Sequence, residues 1–130
     1  MIYSFTKDID LICLIELFNS VGWQSISITT LQKAIQNSIP ISLWDGRILV
    51  GFVRVISDGV TLSSIWDLAV RPKYQRQGLG TFLINLAMQQ CRTPFVFTLA
   101  DNSAVNFYTG LGFTGNSPNC TPLFLNCNEL

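Results

Sequence analysis

The chain predicts an α+β domain built on a mixed, mostly antiparallel sheet. Three observations lead there. Asp45-Gly46 and Asp58-Gly59 are hairpin signals between apolar runs, so the middle of the chain reads as an antiparallel meander. Residues 78–91 have helical spacing and 95–100 form a continuous apolar run, so a helix leads from the meander to one more strand, covered on both sides. The 130 residues are 48% hydrophobic and 12% charged, with no repeat, low-complexity segment or linker, which suits one domain over residues 1–130 with a single core.

In chain order, residues 1–6 alternate apolar and polar and open the sheet. Residues 7–19 are helical, with Ile9, Leu11, Ile12, Cys13, Ile15 and Leu17 on a broad apolar face, and Gly22 and Trp23 end that helix. A second helix starts near Thr29 or Thr30, either of which can cap it, and runs through Leu31, Ala34 and Ile35 to Asn37. Pro40 resets the chain. Strands at 41–44 and 47–57 flank Asp45-Gly46, and a third covers 60–70. Phe82, Leu83, Leu86 and Ala87 are the buried face of the helix at 78–91. A short helix follows at 101–111, capped by Asp101, Asn102 or Ser103, and Phe113 and residues 123–125 supply the last strands.

Composition excludes several functions. Zero net charge argues against nucleic acid as a main partner, because phosphate-backbone binding needs an extended basic surface. No apolar run reaches the 18 or more residues of a membrane span, so no membrane partner is expected. Residues 1–4 already read as strand, so no signal or transit segment is expected, and a soluble, non-secreted protein follows. Cys13, Cys91, Cys120 and Cys127 have no C-x-x-C spacing and histidine is absent, so no metal is expected. Cys13 and Cys91 read as core residues. Cys120 and Cys127 could pair, but a reduced interior suits a chain without an export signal. Any acid or base must then be a carboxylate, tyrosine, thiol or water.

The chemistry concentrates in residues 68–83, LAVRPKYQRQGLGTFL, the end of a strand, a basic turn, a glycine pair and a helix start. Backbone N–H groups in a glycine loop that opens a helix form an anion site. Arg71, Lys73 and Arg76 are three of the eight Lys and Arg, so a phosphorylated ligand is the simplest reading. The dinucleotide pattern G-x-G-x-x-G fails at Leu83, and the nucleotide-triphosphate loop is absent.

What matches is Gln75-x-x-Gly78-x-Gly80 after Val70-Arg71-Pro72, followed about thirty residues on by Asn106-Phe107-Tyr108-Thr109-Gly110-Leu111-Gly112-Phe113. The two blocks resemble the acetyl-CoA pyrophosphate loop and the N-x-Y-x-x-x-G-F segment of the GCN5-related N-acetyltransferases, the GNAT family. Ser57-Asp58, Ile65-Trp66-Asp67, Tyr74-Gln75, Asp101 and Val21-Gly22-Trp23 are similar to its plastid and cyanobacterial branch, which includes plant serotonin N-acetyltransferase-like enzymes. The resemblance implies the GNAT fold, with the strands at 60–70 and 95–100 splayed around the pantetheine arm. It implies acetyl-CoA as co-substrate and transfer of its acetyl group to a primary amine by direct attack in a ternary complex. The acceptor is an arylalkylamine, such as serotonin or tryptamine, or a protein lysine or N-terminal amine. A plastid stroma or a cytoplasm is the implied setting. A non-catalytic CoA-binding sensor or assembly module is the alternative.

The resemblance also assigns roles. The backbone of Leu68, Ala69 and Val70 would lie along pantetheine and acetyl, with one amide polarising the thioester carbonyl. Gln75, Arg76, Gln77, Gly78, Leu79, Gly80 and Thr81 form the loop, in which 76–81 would wrap the pyrophosphate. Tyr108 would protonate the departing thiolate, and Asn106 would touch the cofactor or face solvent. Strands at 60–70 and 95–100 contain no glutamate, which rules out a Glu base there; Asp67, in a strand that otherwise reads as buried, and Asp101, at the end of the last of these strands, could each relay the amine proton, directly or through water. Asp67 could instead form a buried ion pair with Arg54, and Asp101 could simply cap a helix. Residues 121–126 read as a strand that could pair two subunits into a homodimer, as relatives of that family often do.

Overall fold

The computed structural model describes residues 1–24, 26–115 and 119–125. It divides into two compact units, Met1–Leu99 and Ala100–Leu130. The first carries β1 (Ile2–Ser4), α1 (Leu11–Ser20), α2 (Ile28–Gln36), β2 (Ile39–Asp45), β3 (Ile48–Ser57), β4 (Leu62–Val70), α3 (Leu79–Gln90) and β5 (Phe95–Thr98). The sheet order is β1-β2-β3-β4-β5, antiparallel throughout except for the parallel pair β4 and β5. The predicted α+β class with a mixed, mostly antiparallel sheet is therefore the observed one.

Helix boundaries follow local hydrogen bonds. α1 starts at Leu11 rather than residue 7, because the Asp10 carboxylate accepts from the N–H groups of Ile12 at 3.0 Å and Cys13 at 3.3 Å. α2 is capped two or three residues earlier than expected. Ser27, not Thr29 or Thr30, accepts from the Thr30 N–H at 3.1 Å. Strand β4 starts at Leu62 because the Asp58 carboxylate holds the N–H groups of Val60, Thr61 and Leu62 in a turn. The Thr61 hydroxyl first, and then those backbone bonds, keep the Asp58 carboxyl well below the usual carboxylate range.

Pro40 does not break the chain; it is the second residue of β2 and is buried. The Arg71 N–H donates to the Val50 carbonyl at 2.9 Å, so Gly51, opposite Val70, turns its own backbone groups toward β2. Counting on by twos, Val53 and Val55 also face β2 and Arg54 does not. Its partner Pro40 therefore points its nitrogen to the outer side, where β1 reaches only Ser42–Trp44.

Helices cover both faces of the sheet. Leu14, Leu17 and Phe18 of α1 and Leu31 and Ile35 of α2 form one core cluster with Leu49, Phe52 and Ala69. α3 packs across β2, β3 and β4 through Leu83, Ile84, Leu86 and Ala87. Its approach depends on Gly51, where a Cβ would sit 2.8 Å from Leu83 Cδ1. Because Leu83 is fully buried and cannot swing away, Gly51→Val should cost about 1–3 kcal/mol by overpacking, read as a lower urea midpoint.

β5 stops at Thr98 and is half-buried, with Phe95 exposed, rather than covered on both faces. The reason is that it is the outer strand. Among the described residues neither Phe113 nor 123–125 forms a strand beyond it. Pro122 removes a ladder donor there, and Leu123 and Leu125 stand exposed. The pairing strand expected at 121–126 is thus absent through residue 125, while Asn126 and Cys127 lie outside the described residues; Cys120 is an exposed free thiol.

In the second unit a 3-10 turn, Asn102–Ala104, runs into α4 (Val105–Gly110). α4 ends where the Leu111 and Phe113 N–H groups both donate to the Tyr108 carbonyl, with Gly112 at φ +100.

Candidate active site

β4 and β5 are joined along only part of their length. The pairs run from Leu62 with Phe95 to Ile65 with Thr98, and the Thr98 hydroxyl donates to the Ile65 carbonyl at 2.9 Å at the end of the seam. Beyond it, residues 66–70 of β4 have β3 on one side and, among the described residues, no strand partner on the other. Since Gly51 and Val70 pair without mutual bonds, the N–H and C=O of Val70 face that open side. The Gln75 side-chain amide takes the Val70 carbonyl at 2.8 Å. The Val70 N–H is left directed into the gap.

A bulge interrupts β4 just past the seam. Phe52 faces Ala69 and Arg54 faces Trp66, so Val53 alone spans both Asp67 and Leu68. Asp67 adopts φ +59, and its Oδ2 accepts from Arg54 Nε at 2.5 Å. The ion pair of Asp67 with Arg54 is therefore present, part-buried rather than buried. The bulge itself was not expected, because Ile65-Trp66-Asp67-Leu68 reads as a regular strand.

From Val70 the chain runs directly into the glycine loop. Arg71 is anchored, not free: its Nε donates to the Leu49 carbonyl at 2.6 Å. Pro72–Tyr74 form a 3-10 turn, and the Tyr74 hydroxyl donates to Asp45 Oδ2 at 2.9 Å, tying the loop to the β2–β3 hairpin. That carboxylate beside it raises the Tyr74 pKa. Arg76 and Gly78 then take left-handed conformations, φ +62 and +82, and α3 begins at Leu79. Among the described residues, no backbone or side-chain acceptor meets the N–H groups of Arg76, Gln77, Gly78, Leu79, Gly80 and Thr81. A run of unpaired amides at the start of a twelve-residue helix suits a pyrophosphate, and exposed Lys73 and Arg76 add positive charge.

The remaining candidates lie together in the second unit. Tyr108 is buried, its ring edge-on to Phe107 at 5.1 Å and Phe113 at 5.5 Å between centroids. Asn106 is exposed and its carbonyl accepts from the Thr109 hydroxyl at 3.2 Å. Asp101 caps the 3-10 turn, accepting from the Ser103 N–H at 2.7 Å and hydroxyl at 2.6 Å, and these bonds lower its pKa. Cys13 and Cys91 have thiols pushed up by burial, which disfavours a thiolate nucleophile.

The family model for GNAT acetyltransferases matches residues 10–113, which take in the seam, the bulge, the loop and the tyrosine segment. The chain belongs to the GNAT family. A ycf52-like N-acetyltransferase of Prochlorococcus marinus is 34% identical over 87% of this chain and 67% of its own length. A chloroplastic GCN5-related N-acetyltransferase of Arabidopsis thaliana is 29% identical over 95% of this chain and 57% of its own. The chain thus spans about two thirds or less of these curated relatives. Among solved structures, a GNAT acetyltransferase of Streptococcus pneumoniae superposes with a TM-score of 0.83, covering 98% of both chains at 28% identity. The splayed sheet and glycine loop are therefore those of a family of acetyl-CoA-dependent N-acetyltransferases, and the similarity to the plastid and cyanobacterial branch holds. No helix among the described residues is long and apolar enough to cross a membrane.

Proposed function

We propose that residues 1–130 form one acetyltransferase domain that moves the acetyl group of acetyl-CoA to a primary amine by direct attack in a ternary complex. The observation that carries this is the continuity of the open β4 edge with the unpaired amides of 76–81. The amides of 76–81 hold the pyrophosphate, the pantetheine arm follows the edge of Leu68-Ala69-Val70, and a strand amide polarises the thioester carbonyl. The amine nitrogen attacks that carbonyl carbon, the C–S bond breaks, and Tyr108 gives its hydroxyl proton to the CoA sulfur. Both candidate carboxylates have other partners: Asp67 is held by Arg54, and Asp101 by Ser103, which also makes it a weaker base. The amine proton therefore leaves through water. A single turnover does not require a covalent acetyl-cysteine, consistent with the raised thiol pKa values.

For the acceptor, the reading favours an arylalkylamine. Half-exposed Trp23 lies against Phe18 at 5.2 Å, which lies against Phe52 at 5.9 Å. Trp66 shares this face, with its indole N–H donating to the Ser64 hydroxyl at 2.6 Å. The chloroplastic relative supports a plastid setting.

Acetyl-CoA turnover, read as free thiol, tests the function against tryptamine, serotonin, polyamines and peptides with a free lysine or N-terminus. Faster release with the aromatic amines is the expected result. Release only with peptides would transfer the acceptor to proteins. Thermal stabilisation by CoA without release from any amine would point to a binding module, and no stabilisation would overturn the cofactor assignment.

A further inference from the structure

The irregularity of β4 is concentrated at one residue. Asp67 is one of two non-glycine residues with positive φ among those described, and the other, Arg76, lies in the glycine loop. Aspartate and asparagine are the side-chain-bearing residues that tolerate this conformation best. A bulge bends its strand and raises the local twist. Here the last β4–β5 pair, Ile65 with Thr98, lies two residues before Asp67. The bulge is thus placed where β4 leaves β5 and the open edge begins.

Arg54 stands opposite Trp66, the residue immediately before Asp67, so the ion pair reaches across the bulge from the facing strand. The Arg54 side chain is 17% exposed and the Asp67 side chain 31%, so the pair is partly shielded from water. Coupling a left-handed aspartate to an arginine on the neighbouring strand fixes both the backbone turn and its register. We infer that Arg54 and Asp67 form a latch that holds the bulge and so aims the backbone edge at 68–70, and that Asp67 is a positioning residue rather than the base for the amine. The inference rests on the acetyltransferase reading for its kinetic arm, but not for its structural one.

Variants at residue 67 separate the two roles. Asp67→Asn keeps tolerance of positive φ and an oxygen for Arg54. Asp67→Gly keeps the backbone freedom alone. Asp67→Ala loses both. A latch predicts kcat within about threefold of the parent for Asn, then a graded fall through Gly to about tenfold or more for Ala. Arg54→Met should resemble Ala and Arg54→Lys should recover part of the loss. The pH–rate profile should keep its shape in Asp67→Asn. A base predicts instead that Asn, Gly and Ala all fall together by about 10²-fold or more, with the acid limb altered, and that result overturns the inference.

Amide hydrogen exchange at 68–70 supplies the second measurement and needs no turnover. Exchange should rise in Asp67→Ala and Arg54→Met and stay near the parent in Asp67→Asn, with each variant's global unfolding checked by heat. Equal exchange in all four proteins overturns the latch. Absence of turnover in the parent would instead count against the proposed activity, and the exchange ranking would still decide the latch.

Discussion

Tyr108→Phe is expected to lower kcat by about 10²–10⁴-fold while leaving acetyl-CoA affinity unchanged. The ring of Tyr108 is buried between Phe107 and Phe113, so a phenylalanine can preserve both edge-on contacts and remove only the oxygen. The change therefore tests the hydroxyl rather than the ring packing. Thiolates are good leaving groups, so the loss should be largest below the thiol pKa, where the sulfur needs its proton to depart irreversibly. The measurement is kcat alongside the dissociation constant of CoA by calorimetry. Equal loss in both would mean that the ring, not the hydroxyl, matters. Unchanged kcat would remove Tyr108 from the chemistry.

Gly78→Asp is expected to do the reverse, raising KM for acetyl-CoA by about tenfold to a hundredfold with a smaller effect on kcat. Gly78 stands at φ +82 with open space around its Cβ position, so sterics with neighbours are not the issue. Aspartate tolerates this backbone conformation, so the effect comes from the new carboxylate, which repels the pyrophosphate at the helix start. Gly78→Asn, which tolerates the same φ without the charge, should recover most of the affinity. Binding curves for CoA and for dephosphorylated pantetheine fragments check the assignment. The fragment, lacking the pyrophosphate, should bind both proteins alike.

The parts of the site that were legible in the sequence are those in which one residue type has one physical use. Gly78 is required by a left-handed turn, and the glycine pair stands at the start of a helix as its sequence indicates. Likewise Asp45-Gly46 produced the β2–β3 turn, with Gly46 at φ +58. Residues with several uses were read less well. Ser27, Thr29 and Thr30 all carry a capping oxygen, and only hydrogen-bond geometry selects Ser27. Arg71 counts as positive charge in the loop, yet a carbonyl of β3 holds its guanidinium. The bulge at Asp67 left no trace in the period-two pattern, because aspartate accommodates positive φ without a glycine to announce it. Gly51 did carry a signal, an isolated glycine inside a strand, and the close approach of Leu83 is what it marks.

The outward-facing nitrogen of Pro40 has a consequence for how the molecule behaves in a crowd. β1 shields only the Ser42–Trp44 portion of β2, so among the described residues the beginning of that strand has no strand neighbour on its outer side, although Pro40 and Ile41 are themselves buried. A margin with a full row of N–H donors invites a neighbouring polypeptide to add itself as a further strand, the first step toward fibrous growth. Pro40 leaves this strand-unpaired stretch without its outward-facing donor. If the segments over that edge open, a residue with no part in acetyl transfer thereby denies an incoming strand its donor.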